Sequence, residues 1–210
     1  MPNHYLQATI LPCEFYDREP PLVARELLGK LMLRRSPEGL CVGRIVETEA
    51  YLSVNDPSCH AAKGKTRRNE AMFGPPGHAY VYMIHAKWCF NAVTEAEHCG
   101  SAVLVRALEP LLGIELMQVR RNTDTLLDLA RGPARLCQAL AIAGEMDGWD
   151  LTRGQSLWLA DDNSSTDDSA MDESIIATPR IGISQATELP LRFCYADNRF
   201  VSGRRGKSTR

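Results

Sequence analysis

The sequence predicts an α+β fold: a curved, largely antiparallel sheet with flanking helices and a protruding β-hairpin. Two observations predict it. Stretches with strand periodicity and stretches with helix punctuation follow one another without the regular βαβ alternation that builds parallel sheets. The segment HAYVYMIHAKWCFNAV, from His78, also alternates at strand period on both sides of a short break, as a hairpin does. No GxGxxG, GxxxxGK[ST] or GxSxG segment points to a nucleotide-binding or α/β-hydrolase fold.

Taken in order, the elements begin with a helix over 20–28, opened by Pro20 and closed by Gly29, the usual placement of these two residues. Strands follow over 30–35 and 41–51, then a polar loop over 52–76. The hairpin over 78–93 carries His85, Ala86 and Lys87 near its tip, and another strand covers 101–108. Glu109-Pro110 opens a helix running to 121; Gly132-Pro133 opens another, ARLCQALAIA, closed by Gly144. Strands are expected near 155–159, 174–184 and 190–195. The acidic, Ser-rich stretch 161–173 reads as a mobile loop.

At 210 residues, with 44% hydrophobic and 24% charged residues, the chain is expected to form a single domain that buries its core without metal or disulfide staples. No apolar run reaches the roughly 18 residues of a membrane span. The first residues, MPNHYLQATILPCEFYDREPP, lack the basic start and apolar stretch of a secretory signal, so an intracellular protein is expected. Seven cysteines, an odd number without a CxxC, read as reduced and mostly buried thiols. The pairs Cys59-His60 and His98-Cys99 lack the spaced partners of a structural zinc site; neither metal nor cofactor is expected.

A net charge of −2 looks unsuited to a nucleic-acid binder, but its distribution is uneven. Residues 161–173 hold six acids (Asp161, Asp162, Asp167, Asp168, Asp172, Glu173) and no base, which leaves +4 for the remainder. Basic clusters then stand out at Lys63, Lys65, Arg67 and Arg68, and at Arg204, Arg205, Lys207 and Arg210. Such patches can follow a phosphate backbone. The tail, 203–210, reads as a disordered basic end, whereas the Lys63–Arg68 loop reads as a nucleic-acid contact.

The chemistry concentrates in RIVETEAY, residues 44–51. On a strand Ile45, Glu47, Glu49 and Tyr51 share one face. Two carboxylates so placed are costly unless something uses or neutralises them. They could share acid and base work on a glycosidic bond, or one could pair with an arginine while both stay exposed. AVLVRALEP sets Arg106 within an apolar strand, where an arginine usually pairs with a carboxylate. An Arg–Glu pair could hold a nucleophilic water or be purely structural.

Five ordered motifs, RIVETEAYL, TRRNEAMF, PGHAYVYMI, VLVRALEPL and GPARLCQAL, with IGISQATELPLRF beyond them, together resemble the alkyladenine (3-methyladenine) DNA glycosylase family. The likeness runs from about Ala24 to Phe193. It implies one glycosylase domain that flips a damaged purine from double-stranded DNA and hydrolyses its N-glycosidic bond. No obvious Schiff-base lysine stands among the motifs, so no strand-nicking lyase step is expected. The lesions would be 3-methyladenine, 7-methylguanine, hypoxanthine or ethenoadenine, and the enzyme would start base-excision repair as a monomer. Glu49 would be the general base, and Arg106 would help hold the attacking water. The carbonyl of Ile181 would complete the cradle, and Glu47 would be structural. Tyr51, His60 and Tyr82 would sandwich the base, and Asn91 would form a floor excluding the exocyclic amine of normal guanine. Lys63, Lys65, Arg67 and Arg68 would contact the DNA backbone, with Asn69 facing the duplex.

The chain departs from the family at the hairpin tip, where a wedging Tyr is replaced by His85 in a hairpin one residue shorter; Lys87 or Trp88 could share the wedge. Two other readings compete. One is a metal-dependent hydrolase or nuclease using Glu47, Glu49 and His60. The other is a catalytically silent module that binds damaged DNA.

Overall fold

A computed structural model describes residues 2–163 and 174–203. Its spine is β3, the thirteen-residue strand Gly39–Tyr51. Around it lie β1 (Thr9–Ile10), β2 (Leu31–Ser36), β4 (Ala79–Ile84), β5 (Lys87–Thr94), β6 (Ser101–Leu112), β7 (Leu157–Asp161), β8 (Ile175–Thr178) and β9 (Arg192–Tyr195). The order is β1-β7-β2-β3-β6-β5-β4, with β9 joining β3 and β8 joining β9; every pairing between these strands is antiparallel. The α+β class with an antiparallel sheet is therefore as the sequence predicts.

Among the described residues four α-helices accompany the sheet: α1 (Cys13–Tyr16), α2 (Pro20–Glu26), α3 (Ile114–Arg121) and α4 (Pro133–Ala139). Strand alternation decides which side chains they cover. Val81, Phe90, Ala92, Val103 and Val105 join Val23, Ala24 and Leu27 of the α2 region and Leu136, Cys137 and Ala139 of α4 in the main core. The intervening residues Tyr80, Val93 and Ala102 face the other way and pack with Cys59, Ala61 and Met72, flanked by Tyr51 and Tyr82. The loop after β3 thus folds onto the face that the helices leave uncovered.

Two predicted helices end or begin elsewhere. Glu109-Pro110 does not open α3; β6 runs on through Leu112. The N–H of Leu108 points away from β3 to Ala130, and Pro110, two residues on, turns its missing donor the same way, where β5 no longer pairs. The turn into α3 falls at Gly113, φ 74°, where a Cβ would stand 2.5 Å from the Leu40 carbonyl oxygen. Helix α4 begins at Pro133 as expected but stops short of Gly144: Ala141 adopts φ 49°, and Ile142 N–H closes onto the Cys137 carbonyl at 2.8 Å. That closure normally uses glycine, so an apolar run ending on alanine hides it.

Two smaller expectations also shift. The strand expected over 174–184 is only Ile175–Thr178; the chain then leaves the sheet at Pro179-Arg180. Asp161 and Asp162 are not loop acids: Asp161 ends β7 and pairs with Lys30 at 2.5 Å, and Asp162 pairs with Arg44 at 2.8 Å. The rest of the acidic segment, 164–173, and the basic tail, 204–210, lie outside the described residues. Among the described residues no helix is long and apolar enough to cross a membrane. Of the seven free cysteines five are buried, while Cys13 and Cys99 are exposed.

Candidate active site

Two irregularities in the β3–β6 ladder build the centre of the site. Ile45 faces Leu108 and Glu47 faces Ala107, so Val46 is extra on β3; Thr48 faces Val105, so Arg106 is extra on β6. Such bulges re-aim side chains. Arg106 is delivered between both carboxylates of the strand: its Nε donates to Glu47 Oε1 at 2.9 Å and its Nη1 lies 3.1 Å from Glu49 Oε2. Burial alone would lower the Arg106 pKa; the charges of Glu49 and Glu47 reverse that and raise it.

Both glutamates are fully buried, which overturns the reading in which they are exposed. They differ in company. Glu47 is enclosed by Arg106, Arg192 (Nε at 2.7 Å) and Ser202, whose N–H and hydroxyl both donate to it at 2.6 and 2.9 Å. Glu49 takes the Tyr51 hydroxyl at 2.9 Å, Arg106, and the backbone N–H of Ile181 at 2.7 Å. A carboxylate accepts about four hydrogen bonds; at Glu49 the Tyr51 hydroxyl and the Ile181 N–H make two, and Arg106 adds an ion pair.

Beside this cluster opens a cavity of about 500 Å³, within the range of small-molecule sites. Tyr51, His60, Lys63, Tyr82, Asn91, Arg106 and Ile181 all border it, so most predicted site residues converge on one space. Glu49 stands behind Tyr51 and Arg106. His60 meets Tyr82 edge-on, with ring centroids 4.5 Å apart, and its Nδ1 is 2.8 Å from the Tyr80 hydroxyl. Burial, and after it the charge of Arg68, holds the His60 imidazole below its ordinary 6.5. Burial likewise pushes the Tyr51 and Tyr82 hydroxyls far above the usual phenol range. Asn91 is buried and donates to the Tyr80 carbonyl opposite it at 3.0 Å.

Other predicted residues lie outside the cavity. His85 and Ala86 form the two-residue turn between β4 and β5, with φ 47° and 58°, and residues 83–87 are all exposed. Trp88 is withdrawn from that tip and packs against the main core. Lys65 pairs with Glu70 at 3.1 Å, and Arg68 donates to the Met83 carbonyl at 2.8 Å, tying the basic loop to the hairpin. Asn69 does not face outward: it is buried and bonds Thr66, the His60 carbonyl and the Gly64 carbonyl, pinning the loop from inside.

Sequence reasoning missed Tyr80, Asp56, Arg180 and Arg192. Tyr80 shares a strand face with Tyr82 at a two-residue offset, a spacing that fits a core strand equally well. Arg180 adjoins Ile181, yet nothing local reveals that it reaches Asp56, 124 positions away, through bonds of 2.6 and 2.7 Å. Among the described residues no group of three His, Cys, Asp or Glu side chains is gathered as a metal site would require.

Comparison with known proteins decides the lineage. The sequence profile of methylpurine-DNA glycosylase matches residues 14–199. The chain belongs to the methylpurine-DNA glycosylase family. A relative from Carboxydothermus hydrogenoformans is 45% identical over 92% of this chain and 98% of its own. One from Methanoculleus marisnigri is 48% identical over 92% and 99%, and one from Rhodopirellula baltica 49% identical over 92% and 83%. All three carry the provisional name 3-methyladenine DNA glycosylase. Family membership makes the chain a DNA glycosylase, a hydrolase of N-glycosyl bonds, as the motifs implied.

Proposed function

We propose that this glycosylase extrudes an alkylated or deaminated purine from duplex DNA and hydrolyses its N-glycosidic bond with a water activated by Glu49. The single observation that carries the reading is the Glu49–Arg106 contact beside an aromatic-lined cavity with room for a purine. A base inside a duplex is out of reach of a buried carboxylate, so the nucleotide must leave the stack. Tyr51, His60 and Tyr82 then enclose the purine, and Asn91, fixed by its bond to Tyr80, is the floor that clashes with the exocyclic amine of normal guanine.

The water gives a proton to Glu49 as its oxygen attacks the sugar C1′. The C1′–N bond breaks, and its electron pair leaves with the purine. Arg106, 3.1 Å from the Glu49 carboxylate, orients the water. A cationic alkylpurine leaves unaided, whereas hypoxanthine must be hydrogen-bonded or protonated as it goes. His60 is suited to that in the tautomer whose Nδ1 accepts the Tyr80 hydroxyl, which puts the imidazole proton on Nε2. The sequence pattern assigned the Ile181 carbonyl to the water; its N–H already serves Glu49. Glu47, shared by two arginines, serves as their counter-charge.

At the surface, His85 fills the space left in the stack, and Lys63, Lys65, Arg67 and Arg68 follow the phosphates. Lys63 at the cavity edge and Arg68 on the Met83 carbonyl of the hairpin support this. No lyase step follows.

The test is direct. Alkylated and inosine-containing duplexes are incubated with the pure protein in EDTA, and released bases are identified by mass. Release of the modified purine with an intact abasic strand is expected. Activity abolished by EDTA would favour a metal-dependent hydrolase, and tight binding without release a silent binding module.

A further inference from the structure

The Asp56–Arg180 pair lies under the pocket without bordering it. Both side chains are fully buried, and Arg180 Nη1 and Nη2 grip the two oxygens of Asp56. Nη1 also donates to the Ala50 carbonyl at 3.0 Å, while Nε has no hydrogen-bond acceptor among the described residues. The guanidinium carbon stands 4.7 Å from the centroid of the Tyr51 ring, inside the reach of a cation–π contact. Tyr51 borders the cavity and Arg180 does not, so the cation backs the ring from the protein side. Two charged groups therefore act on one aromatic ring: Glu49 accepts a hydrogen bond from the Tyr51 hydroxyl and pushes electron density into it, and Arg180 draws density away from one face.

We propose that Arg180, balanced by Asp56, sets the charge preference of the base pocket by polarising Tyr51 from behind. This rests on the stacking role given to Tyr51 above. A cation held against one face of a ring weakens the attraction of its other face for a second cation, and favours a neutral, electron-rich partner instead. The pocket is thereby held back from cationic alkylpurines relative to neutral lesions. Arg180 is a positioning and tuning residue, since it touches Tyr51 and not the base. Its neighbour Ile181 supplies the N–H on Glu49, so a purely structural role must be told apart from a tuning one.

The experiment is the ratio of single-turnover excision of 7-methylguanine, cationic, to that of hypoxanthine, neutral, in matched duplexes. The paired change Asp56→Asn with Arg180→Gln removes both charges and is expected to raise the cationic-to-neutral ratio roughly three- to tenfold. Arg180→Lys keeps the charge and loses the fork; its ratio should stay near wild type even where both rates fall. Asp56→Asn alone leaves the guanidinium unbalanced and should move the ratio the opposite way, which keeps the proposal testable if the paired variant fails to fold in a melting assay. Equal loss on both lesions in every folded variant overturns it and leaves a structural ion pair. If the wild-type protein releases neither base, the glycosylase reading itself fails, and this inference with it. Release of both with a ratio unmoved by any variant fails this inference alone.

Discussion

Arg106 bridges Glu47 and Glu49, donating through Nε to the first and standing 3.1 Å from the second through Nη1. The two carboxylates share one cation yet are not equivalent. Glu47 has a second arginine and two donors from Ser202, whereas Glu49 turns to Tyr51 and the cavity wall.

Glu49→Gln therefore separates chemistry from folding. The amide keeps the volume, and Arg106 retains Glu47 as counter-charge. Affinity for lesion duplex should hold within a few-fold, while single-turnover excision falls by roughly two to four orders of magnitude, the usual contribution of a general base. Gel-shift titration and timed base release measure the two. Near wild-type excision would remove Glu49 from the role.

Glu47→Gln should show the opposite balance. Arg106 and Arg192 would lose the one carboxylate they share, and removing a partner from a buried ion pair costs about 3–5 kcal/mol. Chemical denaturation should register that loss in the midpoint, and excision should fall only as far as Arg106 is displaced. A fully stable variant would mean that Glu47 neutralises nothing.

These contrasts show how far the sequence was legible. Strand period placed Glu47, Glu49 and Tyr51 correctly in one strand, and an apolar strand with one arginine announced that Arg106 is paired. Nothing in the pattern revealed the bulges at Val46 and Arg106, because a bulge is a register slip between strands and not a property of either. The Arg180–Asp56 and Arg192–Glu47 pairs were hidden for the same reason: 124 and 145 positions separate their partners. Helix α3 was placed four residues early because Pro110 reads as a helix opener where the fold uses it on an unpaired strand edge. The aromatic wall was readable only through the family motifs, since alternating tyrosines on a strand otherwise pack in a core.

His60 gives a pH signature. Its folded value lies below 6.5, chiefly through burial and then through Arg68. The unfolded chain therefore binds this proton more readily than the folded one, so acidification opposes folding. The contribution of His60 is unaffected above pH 6.5, and stability is lost as pH falls from there through the lowered folded value. Thermal melts across that window should show a decline that His60→Asn flattens, and an NMR titration should place the imidazole midpoint below 6.5. A midpoint above it would contradict the burial argument.

The tip turn holds two non-glycine residues at positive φ, His85 and Ala86. Two-residue hairpins of this kind favour glycine in the second position. Ala86→Gly should stabilise the protein by about 0.5–1 kcal/mol, read from a denaturation midpoint, because it relieves left-handed strain at an exposed site. His85→Ala keeps the turn but removes the wedge: single-turnover excision and lesion affinity should both fall. Unchanged values for both would take His85 out of that role.

The basic loop separates residues free for phosphate from residues already engaged. Lys65 pairs with Glu70 and Arg68 holds the Met83 carbonyl, whereas Lys63 and Arg67 are exposed, and Lys63 also borders the cavity. Removing a cation that neutralises one phosphate should reduce the slope of log K against log salt by about one. Lys63→Ala and Arg67→Ala should each show that decrement, on damaged and undamaged duplex alike, because phosphate contacts carry no lesion information. Lys65→Ala should show less, since its ammonium already meets a carboxylate. Arg68→Ala should add a second effect, a rise in the His60 midpoint, because the guanidinium is one of the two influences holding that imidazole down. Binding titrations at several salt concentrations, beside the imidazole titration of the Arg68 variant, test both. A salt slope unchanged across all four substitutions would move the DNA track away from this loop.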